Sequence, residues 1–259
     1  MANILIGPGG TAGLGYEKGL PTLKDEGLTA LEVEFTYGVR MSDEKATEVG
    51  KMAKDYGISL SVHAPYYVNL ASEEAEKIES SKKRILDSCQ KAHILGARYV
   101  VFHPAFYGKN SKEYVYEMVK KAVLEMQEEI SKKGWDVVIC PETMGKISQF
   151  GSVEELVKLH DETGCGVCVD FAHLLAREGK HEYEKLMPII KKLPDVTCHF
   201  SGINYGPKGE KNHILTSEDE IRELLGYLLK YDVSVRIISE SPEPIKNSKK
   251  TRNILNELI

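Results

Sequence analysis

The sequence predicts an α/β protein built as a single (β/α)8 TIM barrel, with a metal site at the carboxyl ends of the barrel strands. Short β-branched, apolar runs alternate with helical patterns, and eight such units can be counted along the chain. The length of 259 residues is normal for one barrel of this kind. Six of the strand-like runs end at a His, Asp or Glu side chain. Because such strand ends converge on one axis, we expect these side chains to meet at the mouth of the barrel.

Glycines mark the helix ends in three of the first four strand–helix units. The predicted strands cover residues 3–6, 30–35, 58–62 and 99–102, and the helices that follow them cover 16–26, 43–56, 73–95 and 112–133. The glycines that end the second, third and fourth helices are Gly57, Gly96 and Gly134.

The last four units complete the count. The predicted strands cover residues 136–140, 166–169, 196–198 and 234–238, and the helices cover 153–162, 183–192, 218–230 and 245–259. Ser152 and Ser217 are expected to cap two of these helices. Residues 202–215 are expected to form an irregular loop. No linker, repeat or low-complexity tract marks a second domain, so we expect residues 1–259 to form one domain.

The composition excludes several classes of protein. Hydrophobic residues make up 42% and charged residues 28%, which is a globular balance. No apolar run approaches the ~20 residues that span a bilayer, and the start lacks the pattern of a secretory signal. We therefore expect a cytoplasmic protein without a membrane partner. The net charge of −5 argues against coating nucleic acid by bulk electrostatics, but bound divalent metals would still allow a local phosphate site.

Two short motifs have competing interpretations. The segment from Gly7 to Ala12 fits the dinucleotide fingerprint G-x-G-x-x-A, with Glu32 or Glu34 as the ribose-binding acid. A single glycine motif is weak, and it leaves the later strand ends unexplained, so we interpret residues 7–13 as a flexible lip of the mouth. The C-x-x-C spacing of residues 165–168 lies inside a strand pattern without a second pair, which indicates small buried hydrophobes.

The strand-end side chains mix imidazole and carboxylate without thiolate, which suits zinc, manganese or iron. The set comprises His63, His103, Glu142, Asp170, His173, His199 and Glu240. Asp170 and His173 leave the same strand end, so they can serve neighbouring metals. In the loop before the eighth unit, His213 stands near Glu210. This histidine either reaches the mouth or is exposed to solvent.

At these residues the sequence resembles the endonuclease IV family of metal-dependent apurinic/apyrimidinic endonucleases, within the xylose-isomerase-like barrel superfamily. The resemblance runs along the whole chain. Its strongest segments are HAPYYVNL from His63, FHP ending at Pro104, PETMG from Pro141, VDFAHLLAREG from Val169, HFSG from His199 and SESP from Ser239. The combination is specific, whereas one segment alone is not.

The resemblance implies a trinuclear zinc site, with manganese as the other metal to consider. By position, the first metal would be held by His63, His103 and Glu142, and Glu142 would bridge to the second metal. The ligands that complete the second metal would be Asp170, His199 and Glu240. His173 would hold the third, helped by the seventh loop, in which Glu210 and His213 are candidates.

Glu142 and Glu240 are the expected catalytic residues. The resemblance also implies substrate contacts, which would come from Arg40 and Tyr66. Both contact residues have structural alternatives, since Arg40 could pair with an acid at 43 or 44 and Tyr66 could simply pack.

Two departures from the family pattern leave alternatives open. The usual histidine signature at the first strand end is replaced by residues 7–13. In the seventh loop the family's Asp-Arg-His-His is matched by Glu-Lys-Asn-His at 210–213, so Asn212 stands at the position of the third-metal histidine. Either His213 substitutes for it, or the centre holds two metals, or the third metal is lost.

The function expected from the resemblance is hydrolysis of double-stranded DNA 5′ to abasic sites, as in base excision repair, by a monomer. The alternative is a sugar isomerase or epimerase, whose mononuclear manganese site needs only Glu142, Asp170, His199 and Glu240. The additional histidines 63, 103 and 173 favour phosphodiester chemistry. A barrel that has lost catalysis is disfavoured, because no ligand of the first two metals is missing.

Overall fold

The structure, a computed structural model, describes residues 2–194 and 196–259. Strands and helices alternate through this part of the chain. The strands are β1 (Ile4–Pro8), β2 (Ala30–Glu34), β3 (Ser59–His63), β4 (Tyr99–Phe102), β5 (Ala105–Phe106), β6 (Val138–Pro141), β7 (Gln149–Phe150), β8 (Val167–Asp170), β9 (Val196–Phe200), β10 (Gly202–Gly206), β11 (Gly209–Ile214) and β12 (Val235–Ser239). The helices are α1 (Tyr16–Asp25), α2 (Asp43–Tyr56), α3 (Ala75–Leu95), α4 (Lys112–Lys133), α5 (Val153–Thr163), α6 (Phe171–Glu178), α7 (Tyr183–Ile190), α8 (Glu218–Lys230) and α9 (Pro244–Leu258).

Eight parallel strands form the wall of a barrel. One four-stranded sheet has the order β1-β12-β9-β8, and the other has the order β2-β3-β4-β6. Isolated parallel bridges join the two sheets at both seams, between Gly9 and Glu32 and between Glu142 and Cys168. This confirms the predicted (β/α)8 class. It also brings the carboxyl ends of all eight strands to one mouth.

The seam between β1 and β2 explains the glycines that follow the first strand. A Cβ atom on Gly7 would lie 1.7 Å from the carbonyl oxygen of Ala30, so only glycine allows the two strands to approach. Beyond β1, the amide of Gly9 donates to the carbonyl of Ser239, and that of Gly10 donates to the carbonyl of Glu32, both at 2.9 Å. The expectation of a flexible lip is therefore wrong for residues 7–10, which are hydrogen-bonded into the wall on both sides.

The helices cover the outside of the barrel and bury their apolar faces in one continuous core. Four of them begin at a serine whose side chain accepts a hydrogen bond from the first turn, which is typically worth ~1 kcal/mol each. The predicted stops at Gly57, Gly96 and Gly134 each adopt the left-handed conformation. Among the described residues, no helix combines the length and apolarity needed to cross a bilayer. The five cysteines are free and buried, which confirms the interpretation of Cys165 and Cys168 as small buried hydrophobes.

Three additions at the carboxyl end of the barrel were not predicted. Residues 202–215 are not an irregular loop, because β10 and β11 pair there as an antiparallel hairpin with a register shift at Asn204/Tyr205. The short strands β5 and β7 also pair, and helix α6 begins directly after β8. All three follow strands that carry candidate ligands, so they shape the mouth.

Candidate metal centre

The first ligand group stands on three neighbouring strands, β3, β4 and β6. His63 ends β3, while His103 and Glu142 directly follow β4 and β6. Glu142 Oε2 lies 3.3 Å from His63 Nε2 and 3.0 Å from His103 Nε2. Since His63 Nδ1 lies 2.7 Å from the carbonyl oxygen of Ala64, it donates there and leaves Nε2 as the free ligand atom. One ligand atom from each residue falls within a 4.8 Å span, which can hold one divalent ion.

The second group shares Glu142 with the first. His199 Nδ1 lies 3.2 Å from Glu142 Oε1 and 3.4 Å from Glu240 Oε1. Asp170 Oδ2 lies 4.0 Å from the same nitrogen, and the four residues again offer atoms within 4.8 Å. Glu142 thus turns Oε2 toward the first group and Oε1 toward the second. This is the arrangement that a bridging carboxylate requires.

The third group contains Asp170, His173 and His213, whose ligand atoms also lie within 4.8 Å. Asp170 Oδ1 caps helix α6 by accepting from the amide of His173 at 2.7 Å. Asp170 Oδ2 is buried and accepts no hydrogen bond from the described residues. The residue therefore serves both as a helix cap and as a carboxylate with one oxygen left for a ligand. Glu210 Oε2 adds a further acid, 3.5 Å from His173 Nε2.

Two glycines bring the hairpin β10–β11 to the mouth. A Cβ atom on Gly209, whose φ is +94°, would lie 2.1 Å from the carbonyl oxygen of Gly145 in the loop after β6. The amide of Glu210 donates to that same oxygen at 3.1 Å. The close approach fastens the hairpin to the loop that begins with Glu142, and so places Glu210 and His213 beside α6.

The electrostatics of the cluster are those of acids and bases packed closely together and mostly buried. Burial alone would raise the pKa of Glu142, but the imidazoles of His199 and His103 outweigh it and hold that pKa well below its usual range. Burial would lower the pKa of His63, yet its hydrogen bond to Glu142 and the nearby carboxylates raise it to about 10. Protons thus stabilise the ligand-free cluster, and a divalent ion would replace them on binding.

Sequence reasoning missed two acids of the mouth. Glu32 and Glu34 were considered only as ribose ligands, although alternation along β2 places both on its inward face. Glu32 Oε1 lies 2.8 Å from His199 Nε2, with both residues fully buried. Burial, together with the charges of Glu32 and Glu240, raises the pKa of Glu34 to about 8 although His63 opposes the shift. The alternating apolar and acidic pattern at 30–34 was the signal that could have revealed them.

The two predicted substrate contacts differ in position. The ring of Tyr66 is centred 5.4 Å from that of His63 and 5.3 Å from that of His103, and it is 44% exposed. Arg40 is exposed in the segment between β2 and α2. Within the described chain it forms no ion pair with Asp43, which pairs with Lys91 instead. Tyr66 therefore borders the first ligand group, whereas Arg40 is free at the surface.

The donor set fits a group of divalent metals. Two imidazoles and a shared carboxylate define the first group, and the buried, unbonded Asp170 Oδ2 stands between the second and third. Carboxylate and imidazole donors are those preferred by zinc and manganese. All the candidate ligands named from the sequence, including Glu210 and His213, lie at this one mouth.

Comparison with known proteins gives a family and several relatives. Residues 20–257 match the model of the family described as xylose isomerase-like TIM barrel. The chain is 35% identical to an uncharacterized protein of Methanocaldococcus jannaschii over 253 residues, which cover 90% of this chain and 91% of that protein. It is 33% identical to the probable endonuclease 4 of Mycoplasmoides gallisepticum over 148 residues. That match covers 55% of this chain and 47% of the relative.

Solved structures with two different activities share the fold. Endonuclease IV from Thermus thermophilus superposes with a TM-score of 0.72 at 22% identity, covering 98% of this chain and 99% of that one. An L-ribulose 3-epimerase superposes with a TM-score of 0.74 at 13% identity, covering 99% and 94%. At these identities the likeness concerns the fold alone.

Proposed function

Because the chain belongs to the xylose isomerase-like TIM barrel family, we propose that it is a metal-dependent phosphodiesterase of the endonuclease IV type. Its substrate would be double-stranded DNA, cut 5′ to abasic sites in base excision repair. The observation that carries the proposal is the first ligand group. His63 and His103 converge on Oε2 of Glu142, whereas a mononuclear isomerase site needs only Oε1, which faces His199.

Each ligand group would hold one ion, preferably zinc, with manganese as the alternative. Bound divalent metals supply Lewis acidity, a water of lowered pKa and charge neutralisation of a phosphate. Glu142 is fully buried, and its two oxygens divide between the first and second groups, so it sets their spacing. Glu240 is the more open carboxylate and lies between His199 and His213. Its Oε2 would take up a proton at the mouth.

The surface around the mouth supports a large substrate with aromatic bases. Exposed aromatic side chains stand on loops and short strands that follow the carboxyl ends of the barrel strands. This aromatic rim consists of Tyr37, Tyr66, Tyr67, Phe106 and Tyr205. Base–aromatic stacking is worth ~1–3 kcal/mol per base, and a nuclease that acts on an extruded nucleotide must replace the stacking that the duplex loses. Arg40, exposed after β2, would insert into the bent duplex.

A second candidate, a sugar isomerase or epimerase, is favoured by the acidity of the mouth. The ligands Glu142, Asp170, His199 and Glu240 would suffice for one manganese ion, and the carbon next to a substrate carbonyl would exchange a proton with Glu142 and Glu240. The inward-facing Glu32 adds a buried negative charge, which would repel a phosphodiester.

Removal of the first ligand group distinguishes the two candidates. We would measure the metal content by elemental analysis, the nicking of a duplex with one abasic site, and the epimerisation of ketoses. His103→Ala should lower nicking more than about 100-fold because it removes a direct ligand. The control is His93→Ala, which changes a histidine of helix α3 outside the centre. One bound Mn²⁺, no nicking and ketose turnover that survives His103→Ala would contradict the proposal.

The DNA contacts can be tested separately from the chemistry. Tyr66→Ala and Arg40→Ala should each weaken binding to abasic duplex by about 10-fold, since stacking and insertion contribute ~1–3 kcal/mol. Arg98→Ala is the matched control, because Arg98 precedes β4 at the opposite end of the barrel. Equal affinities for all three variants would remove the argument for these contacts.

A further inference from the structure

A chain of buried polar contacts runs across the interior of the barrel behind the second ligand group. Ser61 Oγ donates to Glu32 Oε2 at 2.8 Å. The other oxygen, Glu32 Oε1, lies 2.8 Å from His199 Nε2. All three side chains are completely shielded from solvent. Each oxygen of this buried carboxylate therefore has one close polar partner.

The barrel topology makes this contact specific. Ser61 is the register partner of Glu32 on the adjacent strand β3. His199 is on β9, which is separated from β2 by β12 and β1 in the ring of strands. Glu32 thus reaches through the barrel interior to the back of the His199 ring. The opposite edge of that ring faces Glu142 and Glu240.

This geometry selects one tautomer of His199. A neutral imidazole carries a single N–H, and the negative charge of a carboxylate oxygen 2.8 Å from Nε2 favours the tautomer with that hydrogen on Nε2. Nδ1 then presents its lone pair to the space beside Glu142 Oε1 and Glu240 Oε1, at 3.2 and 3.4 Å. A histidine whose second nitrogen faces a carboxylate is held in orientation and is a more basic ligand.

We propose that Glu32, supported by Ser61, is a positioning residue that holds His199 as an Nδ1 ligand of the second metal. This inference rests on the proposed metal centre and concerns the binding of the ion. Glu32 and Glu34 are not among the strand-end ligands, and the proposal gives Glu32 a role.

The test measures Zn²⁺ binding by competition with a chromogenic chelator, in the absence of DNA. Glu32→Gln should weaken one Zn²⁺ site by about 10- to 100-fold and leave the site of His63 and His103 unchanged. Ser61→Ala should weaken the same site by a smaller factor. Glu34→Gln is the matched control, because it makes the same acid-to-amide change on the same face of β2 without touching the ring of His199. It should change each affinity by less than about threefold.

A coupled measurement separates positioning from a general structural effect. In the background of His199→Ala, Glu32→Gln should cause no further loss of Zn²⁺ affinity, because its only route to the metal has been removed. The inference is overturned if Glu32→Gln and Ser61→Ala leave all sites unchanged, or if Glu32→Gln weakens binding equally with and without His199. If Glu32→Gln does not fold, the same comparison is made with Ser61→Ala, measured with and without His199→Ala. Zn²⁺ binding is measured without DNA, so its outcome does not depend on nuclease activity. A failure to nick abasic duplex would refute the proposed nuclease function and leave the role of Glu32 in Zn²⁺ binding intact.

Discussion

Ser201 Oγ and His213 Nδ1 lie 2.5 Å apart, so a hydrogen bond ties strand β11 to the end of β9. With Nδ1 engaged, His213 Nε2 is the nitrogen left for a ligand, and it lies 3.9 Å from Glu240 Oε2. The preceding residue, Asn212, is exposed and donates its Nδ2 to the carbonyl of His213. Because neighbouring residues of a strand face opposite sides, only one of the two can face the mouth, and that residue is His213.

We therefore predict that His213→Ala removes a metal and that Asn212→Ala does not. His213 shares the third ligand group with Asp170 and His173, so its loss leaves two ligands from that group. Elemental analysis after gel filtration should show about one Zn²⁺ fewer per chain for His213→Ala. Asn212→Ala should match the parent protein. Equal metal content in all three would mean that the third group does not bind a metal.

Arg177 fastens the loop that follows Glu142. Its Nη1 donates to the carbonyl oxygens of Met144, Lys146 and Gln149 at 3.2, 3.0 and 3.0 Å. The side chain is only 6% exposed, so its removal would leave carbonyl groups without partners. We predict that Arg177→Met lowers the free energy of unfolding by about 3 kcal/mol. The change in the free energy of unfolding is measured by urea denaturation.

The control for Arg177 is Arg98→Met. Arg98 is half exposed and pairs with Asp136, so this change should cost no more than about 1 kcal/mol. If both variants lose the same small amount, the clamp on the loop contributes nothing beyond an ordinary surface arginine.

The fold could be predicted because most barrel strands are short apolar runs, and six of the eight end at a His, Asp or Glu. The candidate ligands were found for the same reason, since residues such as His103 and Glu142 directly follow a strand. Glu32 was missed because it lies within β2, where an acid ordinarily indicates the solvent-exposed face of a half-buried strand. Only closure of the barrel turns that face inward.

The side of the mouth formed by the hairpin was missed for a different reason. The pairing of β10 with β11 depends on a close approach between Gly209 and Gly145, which are 64 residues apart in numbering. Local pattern cannot reveal such a contact, because polar strands with a register shift lack alternating hydrophobicity. The choice between Asn212 and His213 followed only from that pairing.

Gly7 offers a test of the interpretation of the glycine-rich segment. A Cβ atom there would meet the backbone of Ala30, so Gly7→Ala must separate β1 from β2 and should lower the free energy of unfolding by more than about 4 kcal/mol. Gly13 is the comparison, because its Cβ would meet nothing within 4 Å and only its φ of +81° opposes substitution. Gly13→Ala should cost about 1–2 kcal/mol. A Gly7→Ala protein as stable as Gly13→Ala would contradict the packing role.

Metal removal should destabilise the whole barrel. The ligand groups concentrate the carboxylates of Glu142, Asp170 and Glu240 in a small buried space, where bound cations would offset their repulsion. At a thousandfold excess over its Kd, a metal stabilises by ~4 kcal/mol, and a chain of this size gains roughly 2–4 °C in Tm for each kcal/mol. We therefore expect chelation to lower Tm by about 10 °C and added Zn²⁺ to restore it. Glu142→Gln should respond far less, because it alters the residue shared by two groups. An equal response in that variant would indicate that Zn²⁺ stabilises the protein from elsewhere on the surface.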